Sequence, residues 1–245
     1  LFGTVNKNGH RQYRTSFVFI PRKNGKSNLI AAIGLALLFV EKEPGAEIYV
    51  CASSRKQASA IFDVCKQMVR NQPVLERMCQ LYSDSIVLNG TISFLKAVAA
   101  EAGVLHGANA SAVLYDEVHT AKNRELWDVL ETSMGARSQP LMFGISTAGV
   151  FNPNHVCYEL YDYGKKVRDG IIEDKTFLPL IYEASQDDDI HSEDTWRKAN
   201  PNFGISIKAE YLREKSKKAK SLPSSEIAFR QLHLNQWVNS LASWI

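Results

Sequence analysis

A glycine, a lysine and a serine follow one another as Gly25-Lys26-Ser27, after a candidate strand and before a candidate helix. Residues 17–20 favour β-structure, and residues 29–40 form an apolar run typical of a buried helix. In a phosphate-binding loop the backbone N–H groups at a helix N-terminus cradle phosphates, a lysine reaches the β- and γ-phosphates, and a serine hydroxyl holds Mg²⁺. The segment therefore predicts a nucleotide site, although Ile20 stands where the full pattern has its first glycine.

Two acids, Asp116 and Glu117, end a second candidate strand. Residues 112–115 are apolar, as expected of a buried parallel strand. In a nucleotide hydrolase the aspartate at this strand tip helps to hold the Mg²⁺ coordination shell, and the glutamate orients and deprotonates the attacking water. The alternative is a strand that ends in a solvated acidic turn. The order of the parts, with the lysine loop first and the acid pair later in the chain, favours the hydrolase.

Small hydroxyl residues end a third candidate strand. The apolar residues 141–145 run into Ser146 and Thr147, which precede Ala148 and Gly149. Hydroxyl groups at the tip of a strand beside a nucleotide can sense the γ-phosphate and pass its loss to neighbouring elements. A turn that merely ends at a glycine is the alternative.

The elements around these residues alternate between strands and helices. Residues 47–52 read as a strand, Ser53-Ser54 caps a helix that extends to about Arg70, and Asn89-Gly90 predicts a hairpin within residues 84–97. A helix near residues 124–134 follows the acid pair. This alternation predicts an α/β domain with a mainly parallel sheet and the nucleotide at the carboxyl ends of its strands.

The pattern changes after residue 150. Residues 155–168, 194–199, 208–219 and 225–237 read as helices, and residues 177–182 as a short strand. We therefore predict a core over residues 1–150 and a smaller, mainly helical part over residues 151–245. The lysines of the third of these helices (Lys215, Lys217, Lys218 and Lys220) suit either a solvated face or contact with DNA phosphates.

Composition sets limits on the protein class. The chain has 245 residues and a formal net charge of +3, so its overall charge alone does not require a nucleic acid. Four cysteines without C-x-x-C spacing, and no secretory signal before them, predict reduced thiols in a cytosolic protein. The longest apolar run is too short to span a bilayer. Because the chain begins at Leu1 without a methionine, we expect a fragment of a longer protein.

The motifs PRKNGKS, LYDEVHTAKN and ISTAG resemble the ATPase domain of the large terminase subunit of tailed bacteriophages. The later segments PLIYEA, KANPNFG and LNQWVNS are similar to that family as well, so the resemblance covers nearly the whole chain. It implies a RecA-like (ASCE) P-loop ATPase core with a mainly parallel sheet, followed by a small helical linker or lid subdomain. It also implies that the family's C-terminal nuclease domain is absent from this chain.

The resemblance implies ATP and Mg²⁺ as cofactors and assigns roles to residues. Arg22 becomes a cis-acting arginine on the phosphates, Lys23 and Asn24 shape the loop, and Gly25, Lys26, Ser27 and Asp116 complete the nucleotide site. Other members have an Arg-Gly pair before the catalytic glutamate that acts on a neighbouring subunit, whereas this chain has His106-Gly107. Candidates for a trans contribution are therefore Arg137, Arg124 and His106. His119 either orients Glu117 or is structural.

The resemblance further implies a DNA-packaging motor. Its partners would be double-stranded DNA, the portal protein, the small terminase subunit and other copies of the chain in a ring, in the host cytoplasm at the procapsid portal and without a membrane. Two other classes stay open: a helicase-like remodelling ATPase, which would be expected to need a second RecA-like lobe, and a non-catalytic nucleotide-binding scaffold. An ATPase assay separates the scaffold from the motor.

Overall fold

The computed structural model describes residues 1–41, 43–99 and 107–239. Within these residues the strands are β1 (Thr15–Phe19), β2 (Glu47–Ala52), β3 (Cys79–Leu81), β4 (Ser85–Leu88), β5 (Phe94–Ala99), β6 (Ala112–Asp116), β7 (Leu141–Ser146) and β8 (Phe177–Ile181). The α-helices are α1 (Lys26–Ala36), α2 (Arg55–Arg70), α3 (Pro73–Met78), α4 (Glu125–Thr132), α5 (Val156–Arg168), α6 (Glu193–Ala199), α7 (Ala209–Ala219) and α8 (Pro223–His233).

The strands of the described residues form one sheet in the order β3-β4-β5-β2-β6-β7-β1-β8. β2 pairs in parallel with both β5 and β6, whereas β3, β4 and β5 pair in antiparallel fashion. Every residue of β6 and of β7 is buried, as expected of parallel strands with both faces covered. The predicted mainly parallel α/β sheet is therefore confirmed, and β7 lies between the strand of the lysine loop and the strand of the acid pair.

Several elements follow the sequence patterns closely. β2 covers the predicted residues 47–52, and α2 buries Ala58, Ile61, Phe62, Cys65 and Val69 along one face. Ser54 caps α2, because its side chain accepts a hydrogen bond from the Gln57 N–H at 3.3 Å. The predicted hairpin is also present, with Gly90 at a φ of 70° between β4 and β5.

Two helix ends differ from the predictions. The helix predicted over residues 29–40 begins at Lys26 and ends at Ala36, and a π-helical turn (Leu37–Glu41) continues it. The helix predicted over residues 225–237 begins at Pro223 and ends at His233. Pro223 is accepted in the first turn because that position needs no backbone N–H. The chain leaves the helix after Leu234, and Asn235 has a left-handed φ of 58°.

Helix α1 lies close to the sheet. A Cβ atom at Gly34 would come within 2.7 Å of Leu95 Cδ1 and 3.1 Å of Leu114 Cδ1. Glycine at this position therefore allows the helix to pack closely on β5 and β6, as the apolar run had indicated.

By their contacts the residues form two compact units. Unit 1 comprises Leu1–Ser16, Ser27–Gly144 and Asp174–Leu178, and unit 2 comprises Phe17–Lys26, Ile145–Glu173 and Pro179–Ile245. Each unit therefore combines separate stretches of the chain. The predicted division at residue 150 into a core and a helical part stays a prediction. Unit 2 has its own core, which consists of Ala184, Ile190, Trp196, Ala199, Ile207, Leu212, Ala219, Phe229 and Leu234.

The four cysteines, Cys51, Cys65, Cys79 and Cys157, are free thiols and all are buried. Burial raises the pKa of the Cys65 thiol to about 12. Within the described part of the chain, none of the helices combines the length and the apolar character that crossing a bilayer requires.

Candidate functional site

The loop of residues 21–25, called here the glycine loop, connects β1 to α1. Lys23 and Gly25 have positive φ angles of 70° and 81°. Glycine adopts this conformation without a steric cost, whereas at Lys23 it requires support from the surroundings. The helix begins at Lys26 immediately after the loop, so its free backbone N–H groups lie at the loop, as the sequence predicted.

The side chain of Lys26 is buried in unit 2. Its ammonium donates a hydrogen bond to Thr147 Oγ1, and the Thr147 hydroxyl donates to the carbonyl of Ile20 at 3.2 Å. The N–H of Ile20 in turn donates to the Ser146 carbonyl at 2.9 Å. The lysine predicted to bind phosphate and the hydroxyl predicted to sense it therefore contact each other directly.

Asparagine side chains support the glycine loop from far along the chain. The buried Asn24 amide donates to Asn200 Oδ1 at 2.8 Å and to the Pro21 carbonyl at 3.3 Å. Asn202 binds Asn24 twice, since its N–H donates to Asn24 Oδ1 at 3.1 Å and its side chain donates to the Asn24 carbonyl at 2.9 Å. A further bond joins Ser206 Oγ to the Lys23 carbonyl at 2.6 Å. These contacts fix the loop conformation.

The C-terminal end of α8 also contacts the glycine loop. The N–H of Arg22 donates to the Leu232 carbonyl at 3.0 Å, while the Arg22 side chain is exposed. Asn200 Nδ2 donates to the carbonyls of Trp196 and His233, both at 2.9 Å. Asn24 is therefore connected through Asn200 to the last turn of α8.

The segment of Ser146 and Thr147 is held by the residues that follow α8. Both side chains are fully buried, and Cys157 Sγ lies 3.4 Å from Ser146 Oγ. Beyond them, the Ala148 N–H donates to Asn235 Oδ1 at 2.8 Å, and Gln231 Nε2 donates to the Ala148 carbonyl at 3.1 Å. The end of α8 and the residues after it therefore contact both the glycine loop and the candidate sensor.

Asp116 and Glu117 lie at the end of β6 in unit 1, in a segment of residues 116–120 called here the acidic turn. Glu117 has φ 54° and ψ 52°, a left-handed conformation that costs a non-glycine residue about 1–2 kcal/mol. Its N–H donates to Asp116 Oδ1 at 3.0 Å, and its carbonyl accepts from the N–H and the hydroxyl of Thr120 at 2.8 and 2.7 Å. Backbone strain of this kind is typical of functional sites.

His119 contacts the Glu117 carboxylate, with 3.2 Å between Nδ1 and Oε2. Both side chains are mostly buried. The sequence left two interpretations of His119 open, an orienting role and a structural one. This contact supports the interpretation in which His119 orients Glu117.

The three candidates for a trans contribution differ in their surroundings. Arg137 is 9% exposed, and its guanidinium donates to the carbonyls of Asn109 at 2.6 Å and of Gly45 at 2.8 Å. Arg124 is 55% exposed, and its Nε donates to Asp128 Oδ1 at 3.2 Å. His106 lies outside the described residues. The contacts of Arg137 support packing within unit 1, and a trans role for any of the three stays a prediction.

Sequence reasoning missed the asparagines that support the loop. The segment KANPNFG was noted for its resemblance alone, and no role was given to Asn200 or Asn202. Asparagines beside Pro201 and Gly204 were the available signal, because such residues form turns whose side-chain amides bind backbone groups. Nothing in their spacing identified Asn24 as the partner.

Comparison with known proteins identifies similar chains. Residues 1–166 match the protein family described as "Terminase large subunit, ATPase domain". The "Terminase, large subunit" of Enterobacteria phage HK97 is 31% identical over 232 residues, which cover 92% of this chain and 45% of that protein. "Protein YmfN" of Escherichia coli strain K12 is 30% identical over 138 residues, which cover 56% of this chain and 30% of that protein. The chain thus spans less than half the length of either relative.

Solved structures give the same picture of the fold. The crystal structure of the HK97 large terminase matches with a TM-score of 0.82 and 29% identity, over 92% of this chain and 47% of that one. The ATPase domain of the Thermus phage P74-26 large terminase matches with a TM-score of 0.68 and 18% identity, over 94% and 91% of the two chains. The large terminase of another thermophilic bacteriophage, solved in complex with ADP, matches with a TM-score of 0.61 and 10% identity, over 93% and 48% of the two chains.

Proposed function

Because this chain belongs to the family of terminase large subunit ATPase domains, we propose that it hydrolyses ATP and that hydrolysis moves double-stranded DNA into a viral procapsid. Lys26 and Arg22 bind the phosphates, with Gly25 and the N-terminus of α1 around them, and Lys23 and Asn24 shape the loop. Glu117 orients and deprotonates the attacking water, and His119 positions Glu117.

The residues assigned to Mg²⁺ fit that ion. Ser27 and Asp116 offer a hydroxyl and a carboxylate, and Mg²⁺ prefers one or two such protein oxygens together with phosphates and waters. When bound, the ion would neutralise charge on the β- and γ-phosphate oxygens. Among the described residues no group of three or more His, Cys, Asp or Glu side chains is placed to hold a metal, and a shell completed by substrate oxygens does not need one.

The conformation of Glu117 is the observation that favours ATP hydrolysis over nucleotide binding without hydrolysis. A left-handed backbone in a non-glycine residue, with its carboxylate held by His119, is a costly arrangement that persists only where the surroundings enforce it. A scaffold that binds nucleotide needs the glycine loop but has no use for a strained, oriented carboxylate. This is our reason for preferring the hydrolase.

Coupling in this proposal begins at Thr147. Lys26 contacts Thr147, and Ala148 is bonded to Gln231 and Asn235 beyond it. A phosphate that attracts the Lys26 ammonium would change the Thr147 contact, and the change would reach the end of α8 through Ala148. We propose that this route moves the helical part of unit 2 during each hydrolysis cycle.

The remaining partners follow from family membership. We propose that the chain works as a ring of identical subunits at the procapsid portal in the host cytoplasm, with the portal protein, the small terminase subunit and double-stranded DNA. The helicase-like alternative has no specific observation in its favour. The scaffold is the alternative that the assay below tests.

The test of this proposal is ATP binding and steady-state turnover across protein concentration. We expect turnover per chain to rise with concentration, because a ring supplies groups in trans. Lys26→Ala should bind ATP at least about tenfold more weakly, since a charged hydrogen bond to phosphate is lost. Lys122→Ala, at an exposed lysine of unit 1, is the matched control. A wild-type chain that binds ATP without turnover at any concentration would favour a scaffold, or a core that needs other parts of the motor, over the proposal.

Mixing experiments test the trans contribution of Arg124. Arg124→Ala retains Glu117, and Glu117→Gln retains Arg124, so each variant lacks a different part of a shared site. We expect a mixture of the two to hydrolyse ATP faster than either alone. The same mixture with Arg137→Ala in place of Arg124→Ala tests the second candidate. Equal rates in mixed and separate samples would remove Arg124 from the proposal.

A further inference from the structure

A cavity of about 240 Å³ opens between α7 and α8 in unit 2, apart from the glycine loop. Lys215 and Lys218 line it from α7, and Ser225 and His233 line it from α8. We propose that this cavity is a binding site for a phosphate group, taken either from a DNA backbone or from free inorganic phosphate. The proposal goes beyond ATP hydrolysis, and its test does not depend on turnover.

His233 provides the first argument. It is only 6% exposed, its ring packs against Tyr211 and Phe229 at centroid distances of 5.4 and 5.7 Å, and it lines the cavity. Its Nδ1 has no hydrogen-bond partner within residues 1–41, 43–99 and 107–239. A buried polar atom without a partner costs about 1–3 kcal/mol. Nδ1 is itself covered, so a ligand oxygen in the cavity would remove this cost once the imidazole turns towards it.

The charges around the cavity provide the second argument. Burial, together with the positive charges of Lys215 and Arg22, lowers the pKa of His233 to about 4. The imidazole is therefore neutral near pH 7 and lies in a positive potential. Such a potential opposes a further proton and attracts an anion.

The acids of the two helices do not neutralise this potential fully. Each pairs with a cation of its own helix: Glu210 with Arg213 at 3.6 Å, Glu214 with Lys218 at 3.1 Å, and Glu226 with Arg230 at 2.8 Å. Lys215 instead lies over the Tyr211 ring, 5.2 Å from its centroid. The hydrogen bond and charge of Lys218, and then the charge of Lys215, lower the pKa of Glu214, so a ligand in the cavity shares these two lysines with one carboxylate.

The cavity is also connected to the glycine loop. The carbonyl of His233 accepts from Asn200, and the carbonyl of Leu232 accepts from the Arg22 N–H. A phosphate that binds His233 therefore contacts the turn of α8 that supports the loop. A ligand in this cavity would therefore affect the nucleotide site through the backbone carbonyls of Leu232 and His233.

The test is the pKa of His233, measured by NMR of its imidazole in the whole chain. The wild type, Lys215→Ala and Lys217→Ala are each titrated in chloride buffer, with inorganic phosphate, and with a short DNA duplex. Lys217 is the matched control because it is an exposed lysine of α7 that does not line the cavity. A bound anion should raise the pKa of His233 by about 1 in the wild type and in Lys217→Ala, and by much less in Lys215→Ala.

The two ligands separate the sources of the phosphate group. A rise with inorganic phosphate but not with the duplex assigns the cavity to the free anion. A rise with the duplex, with or without one in inorganic phosphate, assigns it to the DNA backbone. An unchanged pKa with both ligands overturns the proposal. A rise that is equal in Lys215→Ala and in the wild type also overturns it, because the ligand would then act from elsewhere.

Discussion

The glycine loop and the acidic turn differ in the origin of the contacts that hold them. Asn24 in the loop is bound by Asn200 and Asn202, which lie far along the chain. Glu117 in the turn is bound by Asp116, His119 and Thr120, its close neighbours in sequence. A loop held from a distance responds to movements of the elements that hold it, whereas a locally held turn keeps its geometry.

From this difference we propose different tasks for the two regions. The acidic turn suits a catalytic carboxylate, which must keep one position relative to its strand. The glycine loop suits a coupling element, because its supports include the last turn of α8, which is followed by the contacts to Ala148.

The largest effect is expected in the acidic turn from Glu117→Gln. The amide retains the shape but accepts no proton, so ATP turnover should fall by at least about 100-fold. Nucleotide binding should stay, because the glycine loop is unchanged. Glu125→Gln, at an exposed glutamate of the adjacent α4, is the control. Normal turnover in Glu117→Gln would mean that another group activates the water.

Acid should weaken the support of the glycine loop through His233. The folded-state pKa, about 4, lies below the ordinary value of 6.5, so the unfolded chain binds the proton first as the pH falls. Stability from this group is present above pH 6.5 and is lost towards pH 4, by about 3 kcal/mol. Urea unfolding between these pH values should show a smaller loss in His233→Gln than in the wild type. Equal losses would contradict the assignment.

Removing a distant support should loosen the glycine loop and leave the acidic turn intact. Asn200→Ala deletes the bonds to Asn24, Trp196 and His233, and should lower the free energy of unfolding by about 1–3 kcal/mol. We also expect weaker ATP binding in an equilibrium titration. Asn154→Ala, at an exposed asparagine, should change neither quantity. Full ATP affinity in Asn200→Ala would show that the loop does not depend on this support.

A smaller effect is expected from the local support of Glu117. His119→Ala removes the contact to the carboxylate and should lower kcat about tenfold with little change in KM, since the base is misplaced and nucleotide binding is not affected. His119→Gln, which can still donate a hydrogen bond, should recover part of kcat. A change in KM alone would instead place His119 among the groups that bind substrate.

The smallest effect measures the strain at Glu117 itself. Glycine adopts a φ of 54° freely and alanine does not, so Glu117→Gly should be more stable than Glu117→Ala by about 1 kcal/mol. Urea unfolding of both variants gives the difference. Equal stabilities would show that the backbone relaxes and that no strain is stored in the turn.

Local patterns predicted much of the fold. The apolar period of α2, its Ser54 cap and the Asn89-Gly90 hairpin were readable because a few neighbouring residues decide each of them. The end of α8 was not, because residues 234–237 contain no glycine or proline that would mark the end of a helix. Their backbone leaves the helix at the point where Asn235 binds Ala148 and the Tyr182 carbonyl. Tertiary contacts therefore determine where α8 ends.

The candidate site shows the same division. The sequence placed Lys26 at the start of the helix after β1, and Asp116 and Glu117 at the end of β6, since these positions follow from short apolar runs and turn residues. It gave no sign that Arg137 is occupied by the carbonyls of Gly45 and Asn109, because those partners lie far from it in the chain. Arg124 is exposed and Arg137 is mostly buried. The exposure of a side chain is decided only when the chain folds.

By itself, the sequence determined the chemical groups of this protein and their order along the chain. Residue type fixes what a lysine, a serine or a carboxylate can do, and local hydrophobic periodicity fixes the elements that present them. The tertiary structure decided which groups support them. Asn200 and Asn202 contact Asn24, and His233 lines a cavity with Lys215. These contacts form only when folding brings distant parts of the chain together, and no local sequence pattern predicts which residues will meet.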